Sequence, residues 1–291
     1  MLTLLIAFPV ITVSACAISR KVIFPGNRRP VGEKFPIKDA QKQSFQTLQG
    51  DLVDGVFLPG KNVSPASPGP VVFFAHGNGE SIDNWGKRLN VYREQGISVA
   101  MFEYRGYGRS EGQATQENLV SDGIRFYDLI SARKDVNAQK VIFHGRSLGT
   151  GILVQLLLSR EAHAVILQNS FANLSSLAWR YYAPPFFIFD DFDSESALKK
   201  LAQERRDPPL LLLHGKRDSL FNVDEHPALL EKAARNAQLK IFDCGHNNCS
   251  FSEFFAEIRS FLDAPVGILQ ASNDSTGSAN ANPAPHMSSV Q

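Results

Sequence analysis

The most constraining stretch of the chain is Gly145-Arg146-Ser147-Leu148-Gly149. An apolar run, Lys140-Val141-Ile142-Phe143-His144, precedes it, and a helical pattern from Thr150 to Ser159 follows. Strand, sharp turn and helix is the setting that a G-x-S-x-G nucleophile elbow requires. Glycines two before and two after the serine let the backbone turn tightly and let strand and helix approach. Ser147 is then expected at the tip of the turn, at a helix N-terminus, where backbone N–H groups favour developing negative charge. This makes Ser147 a candidate nucleophile, and the rest of the chain must supply its partners.

Around the elbow, apolar runs of strand length alternate with helical patterns. Val71 to Ala75 is continuously apolar, as expected of a strand buried on both faces. Ile97 to Tyr104, Lys140 to His144, Ala164 to Leu167, Leu210 to Leu213 and Leu239 to Phe242 also read as strands. Helices are expected over Ser81 to Gln95, Asn118 to Ala132, Thr150 to Ser159, Asp224 to Asn236 and Ser252 to Leu262. Ser44 to Leu48 and Leu52 to Leu58 read as a hairpin or meander around Gln49-Gly50-Asp51. The alternation predicts an α/β fold: a mostly parallel central sheet with helices on both faces. Such sheets bind ligands beyond the carboxyl ends of their strands. His76, Ser147, Asp218 and His246 each come just after a predicted strand, so the topology gathers them at one edge. The 291 residues suit one such domain, and a net charge of +1 without basic blocks argues against nucleic-acid partners.

Three domain expectations follow. Residues 1–20 form a signal or anchor segment, 21–265 the α/β domain with a short lid at about 171–208, and 266–291 a disordered tail poor in apolar residues. Leu2 to Ile18 is apolar and uncharged but contains Pro9, and about 17 residues is the lower limit for a membrane span. Val13-Ser14-Ala15-Cys16 is similar to a lipobox, in which the cysteine is acylated after cleavage. Membrane association through this segment is therefore expected, by an uncleaved anchor or by a lipidated Cys16. Arg20 and Lys21 place the domain in the cytoplasm if the segment spans, whereas a lipoprotein signal places it in the periplasm. The lid region carries Phe171, Trp179, Tyr181, Tyr182, Phe186, Phe187, Phe189 and Phe192, followed by Asp190, Asp191, Asp193 and Glu195.

A serine hydroxyl needs a base to take its proton, and the base needs an orienting acid. His246 is the preferred base because it follows the last predicted strand beside Gly245; His76, His144 and His214 compete. His144 is expected to pack below the elbow, and His76 and His214 to support loops at strand ends. His163 and His226 look like surface positions, and His286 lies in the tail. For the acid, Asp218 leads, with Asp190, Asp191 and Asp193 as alternatives. A tetrahedral oxyanion needs preorganised donors. The N–H of Leu148 is one, and the second is expected from Asn78, or else Gly79, in the loop after Ala75. Cys244 and Cys249 bracket His246 and admit two readings: small loop residues, free or paired, or part of a zinc site lacking a fourth ligand nearby. The glycine-rich Arg105 to Gly112 lacks the ending of a phosphate-binding loop.

Together, His76-Gly77-Asn78-Gly79, Glu103-Tyr104-Arg105-Gly106-Tyr107-Gly108-Arg109-Ser110-Glu111-Gly112, Gly145 to Gly149, His214-Gly215-Lys216-Arg217-Asp218 and Gly245-His246-Asn247 resemble the α/β-hydrolase superfamily. The likeness is to its membrane-anchored, minimal-lid branch of serine-aminopeptidase-like and depalmitoylase-like serine hydrolases, and covers roughly Val22 to Leu262. It implies Ser147 as nucleophile, Asp218 as acid, His246 as base, and Asn78 with Leu148 as oxyanion donors. The resemblance says little about substrate; the leading expectation is hydrolysis of an ester or thioester, with the aromatic segment and the apolar N-terminus favouring an acyl- or lipid-linked one, and with no metal or organic cofactor. A peptidase or amidase, or a non-catalytic binding protein on the same fold, is the alternative. The chain departs from the family pattern at Asn248, where an acidic residue is common, and in having Cys244 and Cys249 there.

Overall fold

A computed structural model of the chain describes residues 20, 23–28, 37–177 and 188–263. The expected anchor with Cys16, the aromatics Trp179 to Phe187, and the tail with His286 lie outside these residues. Eight strands build the main sheet: β1 (Gln41–Lys42), β2 (Gly55–Leu58), β3 (Gly69–Ala75), β4 (Ser98–Phe102), β5 (Val136–Arg146), β6 (Ala164–Gln168), β7 (Leu210–Gly215) and β8 (Ala237–Phe242). Their order is β8-β7-β6-β5-β3-β4-β2-β1. From β3 to β8 all pairings are parallel, and β1 and β2 join antiparallel at the edge. The expected hairpin splits: Phe45–Gln46 pairs with Leu52–Val53, while Gly55–Leu58 joins the main sheet.

Successive strand residues point to opposite faces, and this divides the core in two. Phe73 and Phe143 face one layer with Phe102, Phe126, Ile152 and Leu167. Phe74 and Ile142 face the other with Trp85, Tyr92, Phe254 and Ile258. The first layer is covered by α3 (Gln116–Ser131), α4 (Leu148–Leu157), α5 (Ser194–Gln203) and α6 (His226–Ala233); the second by α1 (Ile82–Trp85), α2 (Asn90–Arg93) and α7 (Phe251–Asp263). Thr115 caps α3 by accepting from the N–H of Asn118 at 3.1 Å. Helix α4 is buried almost all round, the pattern of a helix enclosed by other elements.

Two expectations change. The helix expected over Ser81 to Gln95 is two short helices, α1 and α2, with Ile37 packed against Gly86 between them. The stretch 171–208 is not all lid. Phe171, Ala172 and Phe192 are core residues, and α5 buries Ala197, Leu198 and Leu201 in that same core. Phe189 is half exposed.

The elbow depends on backbone contact between α4 and β3. A Cβ on Gly149 would stand 2.1 Å from the carbonyl oxygen of Ala75. A Cβ on Gly79 would meet nothing within 4 Å, and only the φ of +71° disfavours a side chain there. Gly149→Ala is expected to cost roughly 3 kcal/mol or to prevent folding, because backbone on both sides must yield. Gly79→Ala is expected to cost about 1 kcal/mol. Chemical denaturation of the two variants beside the parent checks this order.

Candidate active site

Ser147 sits between β5 and α4 with φ of 48° and ψ of −117°, a conformation that non-glycine residues rarely adopt. Such strain costs on the order of 1–3 kcal/mol and persists only where the surroundings impose it. Here the N–H of Ser147 donates to the carbonyl of Gln168 at 2.9 Å, and its own carbonyl accepts from the N–H and Oγ1 of Thr150 at 2.9 and 2.6 Å. The β5–β6 register, which pairs Arg146 with Gln168, makes the first bond possible.

Ser147 Oγ lies 2.9 Å from Nε2 of His246, and Nδ1 of His246 lies 2.7 Å from Oδ2 of Asp218. Oδ1 of Asp218 accepts from the N–H groups of Leu220 and Phe221, each at 2.9 Å. Nε2 of His214 stands 3.3 Å from Oδ2 and 2.9 Å from the carbonyl of Phe221. Burial pushes the Asp218 carboxyl up, but hydrogen bonds from His214, His246 and the Phe221 N–H outweigh it and hold the group far below the usual carboxylate range. An ionised carboxylate only accepts, so Nδ1 of His246 donates to Asp218 while Nε2 faces the serine hydroxyl. The ring of Phe221 meets the imidazole edge-on at 5.3 Å.

The other histidines are engaged elsewhere. Nδ1 of His76 is 2.9 Å from the carbonyl of Gly77, Nε2 is 3.0 Å from the buried Glu103, and the ring stacks on Tyr104. His144 lies beneath the elbow, 2.9 Å from the hydroxyl of Tyr92 and edge-on to Phe74. Burial lowers its pKa to about 3, so it stays neutral. His226 is not at the surface: it is buried, and its Nδ1 accepts from the N–H of Ala172 at 3.3 Å, tying α6 to the loop after β6. The alternative acids are also occupied. Asp190 pairs with Arg20 at 2.8 Å and accepts from the N–H of Gln116, Asp191 accepts from the N–H of Ser175, and Asp193 caps α5.

The N–H of Leu148 opens α4 beside Ser147. Asn78 is exposed in the loop after β3, and its side chain steadies that loop. Its Nδ2 donates to the carbonyl of Ile23 at 2.8 Å, and its Oδ1 accepts from Tyr107 Oη at 2.6 Å. Cys244 and Cys249 are joined in a disulfide that closes the loop bearing His246, with Cα atoms 5.0 Å apart. Both sulfurs are thereby committed, and the zinc reading is overturned. The Arg105 loop is anchored by a bidentate pair to buried Asp122 at 2.7 and 2.8 Å.

Four residues around the site escaped the sequence reading: Glu80, Arg146, Asn169 and, as a partner of Asp218, His214. Arg146 Nη1 is 2.7 Å from Glu80 Oε1, and Nη2 donates to Asn247 Oδ1 at 2.9 Å. Nδ2 of Asn169 donates to the carbonyl of His246 at 2.6 Å. A base inside the elbow and an acid in the loop after β3 were the only legible signs of the first pair.

His144 gives the fold a pH dependence of known sign. Its pKa is lowered from 6.5 to about 3, so between those values the unfolded chain binds a proton that the folded chain refuses. Stability therefore falls as pH drops below about 6.5, with roughly 2 kcal/mol lost from this group between pH 7 and pH 5. His144→Gln is expected to remove that part of the slope, as read from urea titrations at the two pH values.

With this geometry in place, comparison with known proteins is informative. Residues 66–189 match the family model described as serine aminopeptidase, S33. The Escherichia coli protein YfhR is 25% identical over 223 residues, spanning 75% of this chain and 77% of YfhR. Human alpha/beta hydrolase domain-containing protein 17B is 25% identical over 200 residues, 66% of this chain and 65% of that protein. The Pyrococcus furiosus esterase Pf2001 superposes with a TM-score of 0.62 at 18% identity, over 82% of this chain and 97% of the esterase, a likeness of fold. Sheet order, elbow and these similarities agree: the chain has the α/β-hydrolase fold.

Proposed function

We propose that the protein is a serine hydrolase that cleaves an ester or thioester through an acyl-enzyme on Ser147. The observation that carries this reading is the continuous line of hydrogen bonds from Ser147 Oγ through His246 to Asp218, at 2.9 and 2.7 Å. In the proposed reaction, His246 Nε2 takes the proton of Ser147 as Oγ bonds to the carbonyl carbon. The ionised Asp218 stabilises the imidazolium. The N–H groups of Leu148 and Asn78 receive the oxyanion, where each donor is worth on the order of 10²–10³ in rate. Collapse breaks the bond to the leaving alcohol or thiol, which departs with the proton from His246. Water, deprotonated by the same nitrogen, then releases the acid and restores the serine. Apart from that water, these steps draw on side chains and backbone N–H groups of the protein. The fold likeness to an esterase favours ester substrates, whereas the serine aminopeptidase description of the matched model favours a second reading, amide cleavage.

A fluorophosphonate probe tests the nucleophile. Labelling of the parent and none of Ser147→Ala is expected, and an unlabelled, folded parent would count against catalysis. With p-nitrophenyl esters of rising acyl length set against aminoacyl amides, ester turnover is expected to dominate. Cleavage of amides alone would transfer the proposal to a peptidase.

We further propose that the N-terminal segment attaches the domain to a membrane. No helix among the described residues is long and apolar enough to cross one, so attachment would rest on residues 1–19. The Cys244–Cys249 disulfide favours the oxidising side of that membrane, since such bonds persist there and are rare in the cytosol. The mature protein is therefore expected to begin at an acylated Cys16 and to leave both loop cysteines unreactive to alkylation unless reduced. Intact-protein mass spectrometry of the membrane fraction checks both; an unprocessed N-terminus with both loop cysteines alkylated without reduction would place the domain in the cytoplasm.

A further inference from the structure

Three of the loops that carry the proposed chemistry follow β3, β5 and β8, and β8 is separated from β5 by two intervening strands. Strand pairing therefore sets the serine against the loop after β3, but not against the histidine loop. That loop must reach back across the sheet edge, and side chains must hold it there. The guanidinium of Arg146, the residue before the nucleophile, lies where all three loops meet. On one side Nη1 binds Glu80 Oε1 at 2.7 Å. The other carboxylate oxygen of Glu80 accepts from the N–H of Gly77 at 2.7 Å and from the indole N–H of Trp85 at 2.8 Å. On the other side Nη2 donates to Asn247 Oδ1 at 2.9 Å and lies 3.4 Å from the carbonyl of His246. The Arg146 side chain is only 10% exposed, and a Cβ on Gly77 would stand 2.6 Å from its Nη1.

We infer that Arg146 is a positioning residue for hydrolysis: one planar fork that holds the oxyanion loop and the histidine loop at fixed distances from Ser147. The inference rests on the proposed roles of Ser147 and His246. A lysine cannot replace it, because a single ammonium on a flexible stem presents no rigid pair of donors directed at two loops. Glu80 belongs to the same device, since it passes the constraint to the Gly77 N–H, one residue before Asn78. Asn169, which donates to the carbonyl of His246 at 2.6 Å, is a further tether of the histidine loop beside Asp218 and the bond from the Arg217 N–H to the Cys244 carbonyl, so removal of Arg146 loosens that loop without releasing it.

The test compares Arg146→Met, Arg146→Lys and Glu80→Gln with the parent on an ester that the parent turns over. Arg146→Met is expected to lower kcat about 30- to 100-fold with KM within about 3-fold, because misplacement of reacting groups by about 1 Å costs rate on that scale. Arg146→Lys is expected to lose about 10-fold, and Glu80→Gln combined with Arg146→Met to lose no more than Arg146→Met alone. Should Arg146→Met not fold, the lysine variant carries the same comparison. The second readout needs no turnover: the low-field proton resonance of the His246 Nδ1–H, recorded in a Ser147→Ala background, is expected to broaden or vanish when Arg146 is replaced. A kcat within about 3-fold of the parent with that resonance unchanged would overturn the inference, whatever the change in Tm. A parent that turns over no ester or amide, yet whose resonance is lost on replacing Arg146, would sink the hydrolase reading and leave the positioning role standing.

Discussion

The contact between the start of α4 and the end of β3 governs everything above it. The carbonyl oxygen of Ala75 lies where a side chain on Gly149 would begin, so helix and strand meet backbone to backbone. A helix that close to the sheet can follow β5 only through a turn too sharp for ordinary backbone angles, and Ser147 bears that strain at φ of 48°. The result is a hydroxyl raised above the sheet edge with the first N–H groups of a helix beside it. No loop rearrangement could place it so reproducibly, because residues 141–146 of β5 and nearly all of α4 are buried.

Environment then assigns different tasks to chemically similar groups. Asp218 stays ionised because two imidazoles and a backbone N–H serve its carboxylate more strongly than burial opposes it. Asp122 is also buried, but desolvation dominates there and raises its pKa despite the Arg105 fork. His144 and His246 lie on opposite sides of the same elbow. The first is sealed among Phe74, Tyr92 and Phe251 and stays neutral as packing. The second has one face near the mouth of the site and a carboxylate behind it. Such contrasts separate a ring placed to exchange a proton with Ser147 from a structural one.

Some of the sequence was misleading for identifiable reasons. Phe171 and Phe192 sit in an aromatic-rich segment that resembles a lid, yet both rest on Gly151 of α4, where the missing side chain leaves room for them. His226 opens an amphipathic helix and looks exposed, but the N–H of Ala172 needs an acceptor inside the protein and its ring supplies one. The helical spacing of Trp85, Leu89 and Tyr92 was real, and all three are buried on one side. The interruption between α1 and α2 came from Ile37, 49 residues before Gly86 in the chain, which no local pattern could announce.

The sequence by itself determined the α/β class, the parallel sheet, the elbow and the chain order of Ser147, Asp218 and His246. These rest on local physics: periodic burial of apolar side chains, glycines where backbone must approach backbone, and polar residues at the ends of buried strands. Only the tertiary structure decided which of several histidines and aspartates meet, that Cys244 and Cys249 bond to each other, and that Arg146 joins Glu80 to Asn247. The side-chain pairings depend on distances between loops far apart in the chain, and the disulfide on how its own loop folds. Sheet order and register, the sum of many weak contacts, set these distances, and no short stretch of residues encodes them.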